Sequence, residues 1–380
     1  MIQKMTRETA RTWAEISLGN LEHNYRDLRA CAPDSRFLGT VKANAYGHGA
    51  VQVARYLEEL GVDYLAVACL DEAAELRHAG ITAPILILGY TPPELAAEVV
   101  DLDITQGVFT PELARALSEA AGAAGKRAKI HLKADTGMSR LGVLDHDPEQ
   151  AARELAELCA LPHLKPEGIF THFANADGDE EYTMLQFTRF LDLLEELEQK
   201  YRRTFEIRHC AASAAVLNYP CTHMDMVRPG IALYGCYPDP SCEGLDGPGL
   251  KPVMSLYSRV AAVREFPPGT PVSYGCTAGF GPEGGRTAVL PIGYADGLHR
   301  ALSNRSGVWL DGRLRPIMGR VCMDMCMVGL DGGAHVRPGD VAEIFGPRLP
   351  VEHHAQLAGT ISYELLCAVA PRVPRIYTGA

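Results

Sequence analysis

The sequence predicts an α/β chain: a (β/α)8 TIM-type barrel followed by a smaller, mainly β C-terminal domain. Three observations carry this reading. Eight apolar runs alternate with helical patterns between residues 36 and 229. The turn after the first run, "KANAYGHG", lacks the GxGxxG that would open a doubly wound sheet. After about residue 240 the alternation gives way to short β-rich runs separated by Gly and Pro. The division falls at residues 1–242 and 243–380, with roughly the first 12 residues free to pack with the β domain.

An opening helix fits "SLGNLEHNYRDLRA", where Ser17 can cap and Leu18, Leu21, Tyr25 and Leu28 share a face. The eight strand candidates are "RFLGTV" (36–41), "DYLAVA" (63–68), "PILILG" (84–89), "DITQGVF" (103–109), "AKIHLKA" (128–134), "EGIFTHF" (167–173), "FEIRHC" (205–210) and "DMVRP" (225–229). Helical patterns between them include 50–60, 71–80, 111–125 and 183–201. "YPDPSCEGLDGPGLKP" reads as a linker. The β-rich runs beyond it are "MSLYSRVAAVREF", "TAVLPIGYA", "VWLDGRLRPIMGRVCM" and "DVAEIF", with a late helix over "TISYELLCAVA".

Composition excludes several classes. Apolar residues make up 47% of the 380 and charged residues 22%, which fits large cores rather than disorder. A net charge of −11 with interspersed signs argues against a nucleic-acid surface. No run approaches a membrane span, and the N-terminus has no apolar targeting core. The eleven cysteines form no CxxC pair, and Cys322 with Cys326 lacks the second pair a zinc site needs. Reduced thiols and a cytoplasmic location are the expectation, with no metal.

Barrel chemistry sits at the C-terminal ends of the strands. Lys42 follows strand one; Lys133, Asp135 and Arg140 end or follow strand five; His172 ends strand six; His209 ends strand seven, with Ser213 beyond it; Arg228 ends strand eight, before Gly230 and Ile231. One such residue would more often be a plain strand-end charge, but convergence on one rim favours a site. The loops after strands seven and eight are the usual phosphate corner of this fold, and here they offer a hydroxyl and a glycine N–H. A reactive lysine facing a phosphate cradle is what pyridoxal phosphate requires.

"VKANAYGHG", "KADTGMSRLG", "THFANAD", "MVRPGIALYG", "PVSYGCTAGF", "PIGYADG" and "GRVCMDM" resemble, in order, the motifs of the alanine racemase family, over essentially the whole chain. The first is shared by other pyridoxal-phosphate barrels; the last three are more specific. The resemblance implies racemisation of alanine in a homodimer, with each site completed by the partner subunit, and D-alanine supplied for peptidoglycan. It makes Lys42 the point of cofactor attachment and the base on the D-alanine side. Tyr274, from the partner subunit, becomes the base for L-alanine, assisted by an arginine–histidine chain that Arg228 and His209 match. Arg228 would face the pyridine nitrogen, and an arginine cannot give that nitrogen a proton. Arg140 would hold the phenolic oxygen and the substrate carboxylate, with the Met323 N–H assisting. Tyr46, Ser213, Gly230, Ile231 and Tyr363 would hold the phosphate, and His172 would flank the ring. Tyr363 and Tyr294 would narrow the pocket, with Arg300 and Arg320 at its entrance. Lys133 would be carbamylated, becoming an anion that holds Arg140.

Two positions depart from the family pattern. Ala212 stands where an asparagine is usual, and Met325 where a glutamine is. Three alternatives compete: a serine or broad-specificity racemase, which changes only the gate; a cofactor-buffering barrel, which would lack the β domain; and a two-domain decarboxylase, which would set a carboxylate against the pyridine nitrogen.

Overall fold

The computed structural model describes residues 5–145, 147–243 and 249–379. The centre of the expected linker, 244–248, lies outside the described residues. The described chain forms two compact units that interleave in sequence. One spans 22–45 and 50–250; the other takes residues up to 21, 46–49 and 251 onward.

The first unit is a nearly closed parallel barrel. Its strands are Arg36–Thr40, Tyr64–Val67, Ile85–Ile87, Thr105–Val108, Ala128–Asp135, Leu164–Phe170, Ile207–His209 and Met226–Val227, each within the span expected for it except the fifth, which ends one residue later, and the sixth, which starts three residues earlier. Neighbours in that order pair in parallel, and the eighth pairs with the first. The seam between seven and eight carries no ladder. It is joined by Asp225 N–H to Arg208 O (3.1 Å), Arg228 N–H to Ala211 O (2.9 Å) and a bridge of Ala212 with Arg228. Inward-facing Leu38, Ala66, Leu86, Ile207 and Met226 form one apolar cluster inside the barrel.

Local sequence sets the helices around it. Ser17 Oγ accepts the N–H of Asn20 at 3.2 Å, capping the helix Leu18–Cys31. Thr110 caps Pro111–Ala123 and Asp179 caps Glu180–Tyr201, each through its side-chain oxygen. The short helix Ser213–Asn218 has Ala212 at its cap position and no side-chain cap. The departure at Ala212 therefore removes a side chain that could have closed this helix end.

The second unit is β-rich. A six-stranded sheet runs, in spatial order, Arg313–Pro316, Gly307–Leu310, Val341–Phe345, Met254–Arg259, Thr12–Ser17 and Arg375–Thr378. Ala262–Phe266, Gly285–Leu290 and Cys326–Leu330 form a three-stranded sheet. Helices Val351–Ala358 and Ser362–Cys367 follow, the second inside the expected late helix. The strand Thr12–Ser17 pairs antiparallel with Met254–Arg259, so the N-terminal residues are tied into this unit. No described helix is long and apolar enough to cross a membrane.

Candidate active site

Lys42 begins a segment with unusual backbone. Ala43, Asn44, Ala45 and Tyr46 all have φ between 51° and 54°, a left-handed turn directly after the first barrel strand. L-residues disfavour this conformation because Cβ crowds the following carbonyl. Two side chains hold the turn in place. The Glu72 carboxylate accepts Ala43 N–H at 2.6 Å and Ala68 N–H at 2.8 Å, tying the turn to the end of strand two. Asn44 Oδ1 accepts Ala50 N–H at 2.8 Å.

The rest of "YGHG" packs within the second unit. Arg375 donates to Gly47 O (2.9 Å) and Tyr377 to His48 O (3.0 Å). At Gly49, with φ +101°, a Cβ would lie 1.9 Å from the Tyr377 hydroxyl oxygen, so only glycine fits. Tyr46 is buried, which pushes its hydroxyl up, and its ring centroid lies 6.1 Å from that of Tyr363.

In the barrel unit the rim is strongly cationic. Lys133 and Arg228 both lie over the Phe170 ring, at 5.4 and 5.6 Å from its centroid. Burial, then Arg140 and Arg228, and last Lys42, lower the Lys133 amine to about 8, against an opposing pull from Asp135. His172 is pushed down to about 3 by burial and the same four cations. The Asp135 carboxylate accepts the N–H groups of Gly137, Ser139 and Arg140 at 2.8–3.0 Å, which stabilises it as an anion beside these cations. Burial alone would raise its pKa, but those bonds together outweigh it and hold the carboxyl below the ordinary carboxylate range. They also fix the loop that carries the exposed Arg140.

Arg228 is buried and surrounded by acceptors. It donates to His209 Nδ1 (3.0 Å), Thr171 O (2.9 Å) and Cys210 O (3.1 Å), and lies 3.3 Å from His172 Nδ1. Burial lowers it to about 10, which still leaves a cation at neutral pH. Asp225, three residues before Arg228, pairs with Arg208 at 2.7 Å.

The loops after strands seven and eight are joined through one side chain. Ser213 Oγ accepts the N–H groups of Gly230 (2.8 Å) and Ala232 (3.3 Å), drawing both loops together. The sequence reading named Gly230 and Ile231 but missed Ala232, whose side chain gives no signal.

The second unit presents Tyr274 at 69% exposure, with Met323 at 53% and Met325 at 48%. Ser273, immediately before Tyr274, has φ +66° and ψ −179°, a conformation normally reserved for glycine. Its hydroxyl donates to Arg320 O at 2.6 Å, and the Arg320 guanidinium lies against Gly275. Tyr294 N–H donates to Cys322 O and Ala295 N–H to Met323 O, both at 3.0 Å, joining "GYADG" to "GRVCMDM". Asp296 locks this junction through Arg11 (2.7 Å) and Arg372 (2.8 Å). Arg300 is exposed and makes no such contact among the described residues.

Comparison with known proteins was consistent throughout. The family models for the alanine racemase N-terminal and C-terminal domains match residues 16–238 and 253–377. The alanine racemase of Desulforamulus reducens is 46% identical over 97% of this chain and 99% of its own length. That of Desulfovibrio desulfuricans is 47% identical over 96% and 97%. Among solved structures, alanine racemase of Clostridium difficile 630 superposes with a TM-score of 0.93 at 39% identity, covering 99% of this chain and 97% of that one. The alanine racemase of the D-cycloserine producer Streptomyces lavendulae gives 0.92 at 38%, covering 98% of each.

Proposed function

The chain belongs to the alanine racemase family, and from that premise we propose that it interconverts L-alanine and D-alanine with pyridoxal 5'-phosphate, using Lys42 and a partner copy's Tyr274 as the two bases. When bound, the cofactor supplies an aldehyde that captures amines and a ring that spreads the electron pair released from Cα. The residues suit such a group. Four cations, Lys42, Lys133, Arg140 and Arg228, act on one region of the barrel unit and call for anions. Ser213, whose oxygen accepts the Gly230 and Ala232 amides, keeps its hydroxyl proton to donate to a phosphate.

The observation that carries the reading is Arg228, held by imidazoles and carbonyls with no carboxylate at hydrogen-bond distance among the described residues. A permanent cation there keeps the facing nitrogen unprotonated, so Cα is left just acidic enough for proton exchange. A decarboxylase would need an acid in that place. Lys42 is assigned the proton on the D face and Tyr274 that on the L face, because inversion needs one acid–base group on each side. Arg140 and the Met323 N–H orient the substrate carboxylate, Tyr46, Ser213, Gly230, Ile231 and Tyr363 hold the phosphate, and His172 and His209 brace the ring-facing arginine. Tyr363 and Tyr294 favour a methyl side chain. Exposure of Tyr274, Met323 and Met325 supports a homodimer in which these residues meet another copy. The eleven free cysteines fit a reducing cytoplasm, where D-alanine would serve peptidoglycan.

A D/L interconversion assay over alanine, serine and other small amino acids, run in deuterium oxide, tests this. Inversion of alanine with deuterium at Cα is expected. Faster turnover of serine would assign the broad-specificity alternative, and exchange with retention only would overturn the two-base reading.

Lys133 is proposed to be carbamylated. Only a neutral amine adds to carbon dioxide, losing a proton as the N–C bond forms, and an amine brought down to about 8 is neutral in a substantial fraction at that pH. The anion formed would compensate Arg140. Lys133→Ala is expected to lose about tenfold or more in activity and to recover with chloride or small carboxylates, since restoring an anion restores a charge pair of roughly 1–3 kcal/mol. Full activity without added anion would remove the proposal.

A further inference from the structure

Two ionisable side chains inside the barrel have no task in the racemase reading: His131 and Glu167, both buried. With His209 and Arg228 they form one continuous line through the barrel unit. The Glu167 carboxylate accepts from the Tyr64 hydroxyl (3.1 Å), the Thr105 hydroxyl (3.4 Å) and Lys165 Nζ (3.1 Å). His131 Nε2 stands 3.7 Å from Glu167 Oε1, an electrostatic contact slightly beyond hydrogen-bond length. His131 Nδ1 is 2.8 Å from His209 Nε2, and His209 Nδ1 is 3.0 Å from Arg228 Nη1. The surroundings fit the line. Gly168 lies opposite His131, where a Cβ would come within 2.6 Å of the imidazole. Phe170 stacks on His209 at 4.9 Å and 11°.

One arrangement of protons satisfies the two hydrogen bonds of the line and leaves His131 Nε2 with only its electrostatic contact to Glu167. Arginine has donors and no acceptor, so His209 Nδ1 must be bare. His209 therefore carries its proton on Nε2 and donates to a bare Nδ1 on His131. His131 then carries its proton on Nε2, directed at Glu167. An added proton on either ring would set two N–H groups face to face, and burial already disfavours it for both.

We propose that Glu167 and His131 are positioning residues for Arg228: the carboxylate fixes the direction of hydrogen bonding along the line, so that His209 always turns a lone pair to the guanidinium. A carboxylate 3.7 Å away attracts an N–H on His131 Nε2 and repels a lone pair there, whereas an amide could turn its own N–H toward the ring and so admit the reversed tautomer. Reversal would place His209 Nδ1–H against Arg228 and swing the guanidinium away. Each bond also polarises the next, making His209 a stronger acceptor than an isolated imidazole. The consequence for catalysis rests on the reading that Arg228 faces the cofactor nitrogen; the tautomer lock itself does not.

The test uses the full-length protein with 15N-labelled histidine, as wild type, Glu167→Gln and His131→Phe. Long-range 15N–1H spectra are recorded before and after adding pyridoxal phosphate, alongside cofactor absorption, kcat and KM. In the wild type both histidines are expected to be neutral with the proton on Nε2. Glu167→Gln is expected to mix the His209 tautomers, shift the cofactor absorption and lower kcat about tenfold with KM for alanine little changed. A proton on His209 Nδ1 in the wild type, or a Glu167→Gln protein with unaltered tautomers, absorption and kcat, would overturn the proposal. If a variant fails to fold, the wild-type spectrum alone still decides the direction of the line. Expected tautomers in a protein that takes up no pyridoxal phosphate would support the lock and defeat the cofactor reading instead.

Discussion

Lys42→Ala is expected to lower racemisation by about four orders of magnitude or more, because one substitution removes both the cofactor's covalent anchor and one of the two bases. The fold should tolerate the change. The contacts that shape the segment run to the backbone of Ala43 and the side chain of Asn44, and neither uses the lysine amine. Lys133 is the other amine among the cations of this rim, but it sits on the fifth strand, with Arg140 first among the charges acting on it. It is therefore not placed to substitute for a group fixed after the first strand. Borohydride reduction of the reconstituted protein followed by peptide mass analysis checks the assignment directly. The reduced adduct should map to residue 42 in the wild type and be missing in the variant. Activity within about tenfold of wild type, or an adduct on another lysine, would refute the role given to Lys42.

Tyr274→Phe should separate the two directions of the reaction. The ring stays and the hydroxyl goes, so the expected loss in kcat is about 10²–10⁴-fold, the usual worth of a positioned acid–base group. The pattern of exchange is the sharper readout. In deuterium oxide, D-alanine should still exchange its α-proton through Lys42, without inversion, while L-alanine should cease to exchange. Equal exchange from both enantiomers would eliminate Tyr274 as the L-face base. The local structure makes the test clean. Tyr274 is presented by the Ser273 hydrogen bond to Arg320 O and by the glycines at 275 and 319, none of which involves the phenol oxygen.

The barrel was legible because its strands are buried on both faces and read as apolar runs, five of them followed by a polar residue at the rim. Arg228 with His209 was legible for the same reason, since both terminate such runs. His131 was visible only as a neighbour of Lys133, and Glu167 not at all. A carboxylate inside an apolar run looks like a surface charge until barrel closure brings Tyr64, Thr105 and His131 around it. Glu72 was hidden for a related reason: it acts on backbone N–H groups at positions 43 and 68, contacts that no side-chain pattern records. The strand Thr12–Ser17 escaped because its partners lie some 240 to 360 residues further along, in Met254–Arg259 and Arg375–Thr378. Its six residues carry only a weak alternation by themselves.

The left-handed turn at Ala43–Tyr46 has a consequence for how the reactive amine comes into being. Four successive L-residues in that geometry oppose it by roughly 4–8 kcal/mol in isolation. The free peptide will therefore not adopt it, and grafting "VKANAYGHG" onto a foreign scaffold will carry the letters without the shape. During synthesis the segment therefore stays unshaped until Glu72 and Ala50, further along the chain, have folded back against it.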